Sequence, residues 1–273
     1  MEVLKTEHPG FCFGVRRAIN IVLQESERTE GRIFTIGPII HNPQMVETLR
    51  HRGIIPVDNI SEIEGGTVVF RTHGIKEEEE EDIKLKGLKS IDATCPFVKR
   101  VRKKAIFLQK NGYKVVIAGD ENHPEVKSVL SYLHNDGIVL EKPALIMSKK
   151  IGVVSQTTLD KDTFFNIVCG LVEGVEELRV YNTICESTGI RQREVATLSS
   201  MVDAMLIVGG KNSSNTTKLY KIAKNIQTNT YHIETETDIK PEWFSGLNKI
   251  GMTGGASTPD NILDSVERYV KKL

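Results

Sequence analysis

The sequence predicts an α/β protein made of three pseudo-symmetric α/β domains arranged in a trefoil-like ring. Three observations lead there. Short apolar runs alternate with amphipathic helical stretches, the pattern of parallel sheets with crossover helices. At 273 residues the chain is too long for one ordinary core. Three cysteines, Cys12, Cys95 and Cys185, open three similar passages.

Each passage is a cysteine followed by an amphipathic helix with Arg or Lys in its early turns: "CFGVRRAINIVL", "CPFVKRVRKKAIFL" and "CESTGIRQREVATL". A strand and a polar turn come next, in "GRIFTIGPIIHNPQMV", "GYKVVIAGDENHPEV" and "VDAMLIVGGKNSSNTTKL". From Cys12 to His41 is 29 positions, and from Cys95 to His123 and from Cys185 to Ser213 is 28. The second half of each unit is another strand, a polar turn and a helix, in "TVVFRTHGIKEE", "IGVVSQTTLDKD" and "IGMTGGASTPDN". Those turns carry His73, Thr157 with Thr158, and Ser257. A last strand leads into the next cysteine, as in "LKSIDATC" and "LRVYNTIC". The strand before Cys12, "EVLKTE", has no unit of its own and is assigned to the third sheet, closing the ring. The domains are then 13–95, 96–181 and 182–273, with residues 1–12 completing the last. The acidic run "KEEEEEDIK" reads as the solvated first turns of a helix, where carboxylates suit the positive dipole end.

Lys plus Arg and Asp plus Glu both number 36, so no net charge points to nucleic acid or a membrane surface. No apolar run approaches the roughly 20 residues of a membrane span, and the N-terminus lacks a signal-peptide core. The expected location is the cytoplasm, where structural disulfides are rare.

Three thiols at equivalent ends of three units surrounding one axis would converge on a shared centre. Zinc on three cysteines wants a fourth protein ligand or a catalytic water. An iron–sulfur cluster wants thiolates, and three of them leave one iron open for substrate. Inert thiols in an anion-binding protein are a third reading. Cys169, in the apolar stripe "DTFFNIVCGLVEGV", falls outside the repeat and reads as core packing. The turn "KNSSN", with Ser213, Ser214 and Asn215, offers hydroxyls, an amide and backbone donors at a helix start, which suits phosphate oxygens. With His41, His73 and Ser257 at corresponding turns it forms a diphosphate cradle. Glu125, two residues from His123 at a helix start, is either a carboxylate serving the dipole or a general acid oriented by His123 and Thr157.

The motifs "GFCFGV", "GPIIHNP", "RTHGI", "DATCP", "NHPEV", "QTTL", "NTIC", "GGKNSSNT", "YHIE" and "GGASTPD", in that order, resemble the LytB-type 4-hydroxy-3-methylbut-2-enyl diphosphate reductases. The resemblance covers nearly the whole chain. It implies one central 4Fe–4S cluster on Cys12, Cys95 and Cys185, the substrate hydroxyl at the iron without a thiolate, and isopentenyl and dimethylallyl diphosphates as products. It implies that His41, His73, Ser213, Asn215 and Ser257 hold the diphosphate, with Ser214 in the same turn. Glu125 would deliver protons, and Thr157, Thr188 and His123 would support the hydroxyl end. A ferredoxin or flavodoxin is the implied electron donor.

Overall fold

The computed structural model describes residues 1–29 and 31–273. The chain opens with β1 (Glu2–Lys5) and α1 (Phe13–Arg28). The first sheet to form follows: β2 (Ile33–Ile36), α2 (Pro43–Arg50), β3 (Ile54–Val57), β4 (Thr67–Phe70), α3 (Glu77–Leu85) and β5 (Lys89–Asp92). The acidic run lies in α3, with four glutamates in its first turn. The second sheet comes from α4 (Pro96–Lys110), β6 (Lys114–Ala118), α5 (Pro124–Ser131), β7 (Gly137–Leu140), β8 (Ser148–Ser155), α6 (Lys161–Val172) and β9 (Val175–Val180). The third comes from α7 (Glu186–Ser199), β10 (Ala204–Val208), α8 (Ser214–Ile226), β11 (Thr230–Ile233), β12 (Lys249–Gly254) and α9 (Asp260–Lys272).

All neighbouring strands described are parallel, and one order recurs in the three sheets: β3-β2-β4-β5, β7-β6-β8-β9 and β11-β10-β12-β1. β1 therefore takes the fourth place in the third sheet, with Glu2 opposite Lys249 and Lys5 opposite Met252. The strands β2, β4 and β10 are buried throughout, as parallel strands covered on both faces should be. The edge strands β5 and β9 carry charged, exposed residues, which keeps a free edge soluble.

The chain divides into two compact units. One comprises residues 1–16, 40–48 and 186–273; the other comprises 17–39 and 49–185. In the first, Leu206 and Val208 pack with Ile250 and Val266, while the alternate residues Met205 and Ile207 pack with Val195 and Leu219. In the second, Ser128 Oγ donates to Ile75 O (2.6 Å) and Glu77 N to Ser131 Oγ (2.9 Å), tying α5 to the start of α3.

α6 corrects one expectation. It buries Phe164, Ile167 and Leu171. Cys169, two residues from both Ile167 and Leu171, points about 200° around the helix from that stripe and is exposed. It is not a core residue.

The strand order reverses between the first and third strands of each sheet, where ligands bind beyond the carboxyl ends. His41 and His73 follow β2 and β4, His123 and Thr157 follow β6 and β8, and Ser213 and Ser257 follow β10 and β12. The cysteines 12, 95 and 185 follow the three fourth strands, β1, β5 and β9.

Candidate functional site

Each of those cysteines meets a helix in the same way. Cys95 is the N-cap of α4, and Cys12 and Cys185 directly precede α1 and α7. The backbone N–H of each donates to a carbonyl in the loop after a third strand: Cys12 to Ala256 (3.1 Å), Cys95 to Thr72 (3.0 Å) and Cys185 to Thr157 (2.9 Å). This repeated bond fixes three half-buried thiols at helix N-termini, the end whose dipole suits an anionic ligand atom. Soft sulfur donors of this kind select zinc or iron–sulfur centres over hard cations, so the donor types fit the cluster that the family resemblance implies.

In the unit holding residues 49–185, Thr157 joins a carboxylate to one of these thiol-bearing residues. Its N–H donates to Glu125 Oε1 (2.7 Å) and its hydroxyl to Glu125 Oε2 (2.6 Å), while its carbonyl accepts from Cys185 N. Glu125 is 1% exposed. Burial pushes its carboxyl up to about 7, although both bonds from Thr157 favour the charged form. Such a group holds a proton near neutral pH and can release it, as a general acid must. His123 caps α5, its Nδ1 accepting from Glu125 N (3.2 Å), which assigns the neutral ring's proton to Nε2. The His73 ring meets His123 edge-on at 5.4 Å.

In the unit holding residues 186–273, Ser213 caps α8, accepting from Thr216 N (3.4 Å). Asn215 Nδ2 and Thr216 Oγ1 are buried with no hydrogen-bond partner among the described residues. Leaving buried polar groups unpaired is costly, and an oxygen-rich anion at this turn would satisfy the Asn215 amide. A Cβ on Gly255 would fall 1.9 Å from Thr216 Oγ1, so only glycine lets that backbone approach. Ser257 Oγ donates to His41 O (3.1 Å), joining two of the turns read from sequence. Thr188 is buried in the first turn of α7, and Ser214 opens α8.

Three residues here were given no role by the sequence. His232 Nε2 lies 2.9 Å from Gly209 O, and burial holds its imidazole below the usual value, so the neutral ring donates that bond. Gly209 N donates to Ile233 O (2.8 Å) and Lys211 N to Glu234 Oε1 (2.9 Å). His232 and Glu234, two apart at the end of β11, thus brace the turn that carries Ser213; the polar i, i+2 pair in "YHIE" was the available signal. Asn42 is the third: its Oδ1 accepts from Met45 N (2.8 Å) and its buried Nδ2 has no partner among the described residues.

Comparison with known proteins agrees in extent and name. The LytB protein family model matches residues 3–271. The 4-hydroxy-3-methylbut-2-enyl diphosphate reductase of Aquifex aeolicus (strain VF5) is 43% identical over 280 residues, covering 100% of this chain and 97% of its own. The protein of that name from Geobacter sulfurreducens is 43% identical over 279 residues, with 100% and 98% covered. A solved (E)-4-hydroxy-3-methyl-but-2-enyl diphosphate reductase, described as the terminal enzyme of the non-mevalonate pathway, superposes with TM-score 0.75 at 43% identity, covering both chains fully. The Plasmodium falciparum reductase structure gives TM-score 0.91 at 27% identity, covering 100% of this chain and 87% of its own. No described helix is long and apolar enough to cross a membrane. With a family match over nearly all of its length and relatives above 40% identity, the chain belongs to the LytB protein family.

Proposed function

We propose that this chain reduces (E)-4-hydroxy-3-methylbut-2-enyl diphosphate to isopentenyl and dimethylallyl diphosphates, the last step of the non-mevalonate isoprenoid route, in the cytoplasm. The family assignment and the names of its relatives support the substrate. Cys12, Cys95 and Cys185 would hold one 4Fe–4S cluster, each thiolate coming from the residue that follows the fourth strand of one of the three sheets. When bound, the cluster supplies electrons one at a time and an iron without a thiolate for the substrate hydroxyl.

The chain's own residues bind and protonate. His41, His73, Ser213, Ser214, Asn215 and Ser257 hold the diphosphate through hydrogen bonds that charge strengthens. Thr157, Thr188 and His123 orient the hydroxyl end. Glu125 gives a proton to the departing hydroxyl, which leaves as water. Overall the substrate takes up two electrons and two protons, breaking one C–O bond and forming one C–H bond. The observation that carries this reading is the placement of Thr157, which donates twice to a buried, proton-holding carboxyl while its carbonyl fixes Cys185.

The test is anaerobic turnover of the diphosphate with reduced methyl viologen. Both five-carbon diphosphates should appear, in reductant-dependent amounts. Phosphate release without reductant, from a colourless zinc-containing protein, would replace reduction with hydrolysis.

A further inference from the structure

The face of α4 that points to solvent has no task in the site. The helix carries six basic side chains and no acidic one, in a chain whose net charge is zero. Val98, Val101, Ala105 and Leu108 bury one side against the second sheet. Arg100, Lys103, Phe107 and Lys110 make the exposed stripe at spacings of three and four. Lys99 pairs with Asp92 (2.6 Å), but Arg100, Lys103, Lys104 and Lys110 make no salt bridge among the described residues. Phe107, 40% exposed, sits at the centre of this charge. Arg179 lies 5.1 Å from its ring centroid, and Tyr181 meets it edge-on at 6.4 Å with Lys104 over the Tyr181 ring at 4.4 Å. An exposed aromatic ringed by cations is the pattern of a protein-docking patch, with an apolar anchor and a charged rim.

We propose that this face docks a small acidic one-electron carrier protein. The proposal rests on the reductase reading, under which each turnover consumes two electrons. Two reduced carriers each give up one and leave oxidised. Cys95 is the N-cap of α4, and Lys103 is eight residues further on, about 12 Å along the helix. A carrier seated on the stripe therefore lies close to the thiol proposed to hold the acceptor. Uncompensated positive charge steers an acidic partner and sets its orientation. A nucleic acid would also be drawn to cations, but base stacking uses several aromatic side chains in a row, and Phe107 is the one exposed aromatic of α4.

The test uses the loaded enzyme, an acidic [2Fe–2S] ferredoxin as probe and two variants: R100E/K103E/K110E and R100Q/K103Q/K110Q. Calorimetry at low salt should show the Kd for oxidised ferredoxin rising about tenfold or more in the Glu variant and severalfold in the Gln variant, with a shallower salt dependence in both. Turnover driven by reduced methyl viologen should stay within about twofold of the unaltered protein. A ferredoxin Kd unchanged by the Glu variant overturns the proposal, as does RNA binding that the variant abolishes while ferredoxin binding persists. Failure of the unaltered protein to turn over with viologen would instead remove the reductase reading, and the ferredoxin titration would still report on the face.

Discussion

Replacing Glu125 with Gln keeps the side chain's shape and its acceptor for Thr157 N but removes the titrating proton. The carboxyl sits at about 7 in the folded chain against an ordinary 4.5. That gap corresponds to about 3 kcal/mol at pH values well above 7. Its sign is destabilising. Below the ordinary value both folded and unfolded chains hold the proton and nothing is lost. As pH rises, the unfolded chain ionises first, so stability falls until the folded carboxyl also ionises near 7, and is flat beyond. The Gln variant lacks this loss. In urea unfolding followed from about pH 5 to about pH 8.5, its stability relative to the unaltered protein should grow by about 2–3 kcal/mol. Its turnover should fall about 10²-fold or more, and the unaltered protein's rate should decline above about pH 7 as the acid loses its proton. Parallel stability profiles would refute the buried, proton-holding carboxyl, and full turnover in the variant would remove Glu125 from the proton path.

The neighbouring residues give further outcomes. Thr157→Val deletes the hydroxyl bond that favours the charged carboxylate, so the alkaline limb of the pH–rate profile should move upward and turnover drop roughly tenfold. Ser257→Ala should raise the substrate KM roughly fivefold with kcat nearly unchanged, since the hydroxyl proton now given to the His41 carbonyl would turn to the anion and is lost in the variant; kinetics at fixed pH decide it. His232→Phe should raise KM by a similar factor through the unbraced 209–213 turn, and His232→Gln, whose amide N–H can reach the Gly209 carbonyl, should restore it. Cys169→Ser should leave iron content unchanged and stability within about 0.5 kcal/mol, because Cys169 is exposed. In the cluster-loaded native protein, an alkylating reagent should modify Cys169 ahead of the other three.

The three-unit α/β architecture was legible because each repeat announces itself chemically. A cysteine starts the helix, a strand follows, and a polar turn falls 28 or 29 positions on. Buried central strands such as "TVVF" and "AMLIV" are continuous apolar runs that leave little choice of element. Cys169 was misread for a physical reason. Its helix also exposes Phe165 (66%) and Val172 (57%), so the outward face is apolar too and periodicity cannot separate it from the core stripe. Glu125 was legible as a residue at a helix start, but its burial was not. Only the fold brings Thr157, 32 residues away, onto both carboxylate oxygens. The brace from His232 and Glu234 was hidden likewise, since it depends on β11 lying beside β10.

The central claim is that three equivalent thiols hold one open-cornered cluster. Iron and acid-labile sulfide counted anaerobically, in the unaltered chain and in each single Cys→Ser variant, test it most directly. About four irons and about four sulfides per chain are expected, lost or sharply reduced on changing Cys12, Cys95 or Cys185 and kept on changing Cys169. One zinc without sulfide, or a full count surviving Cys95→Ser, would contradict it.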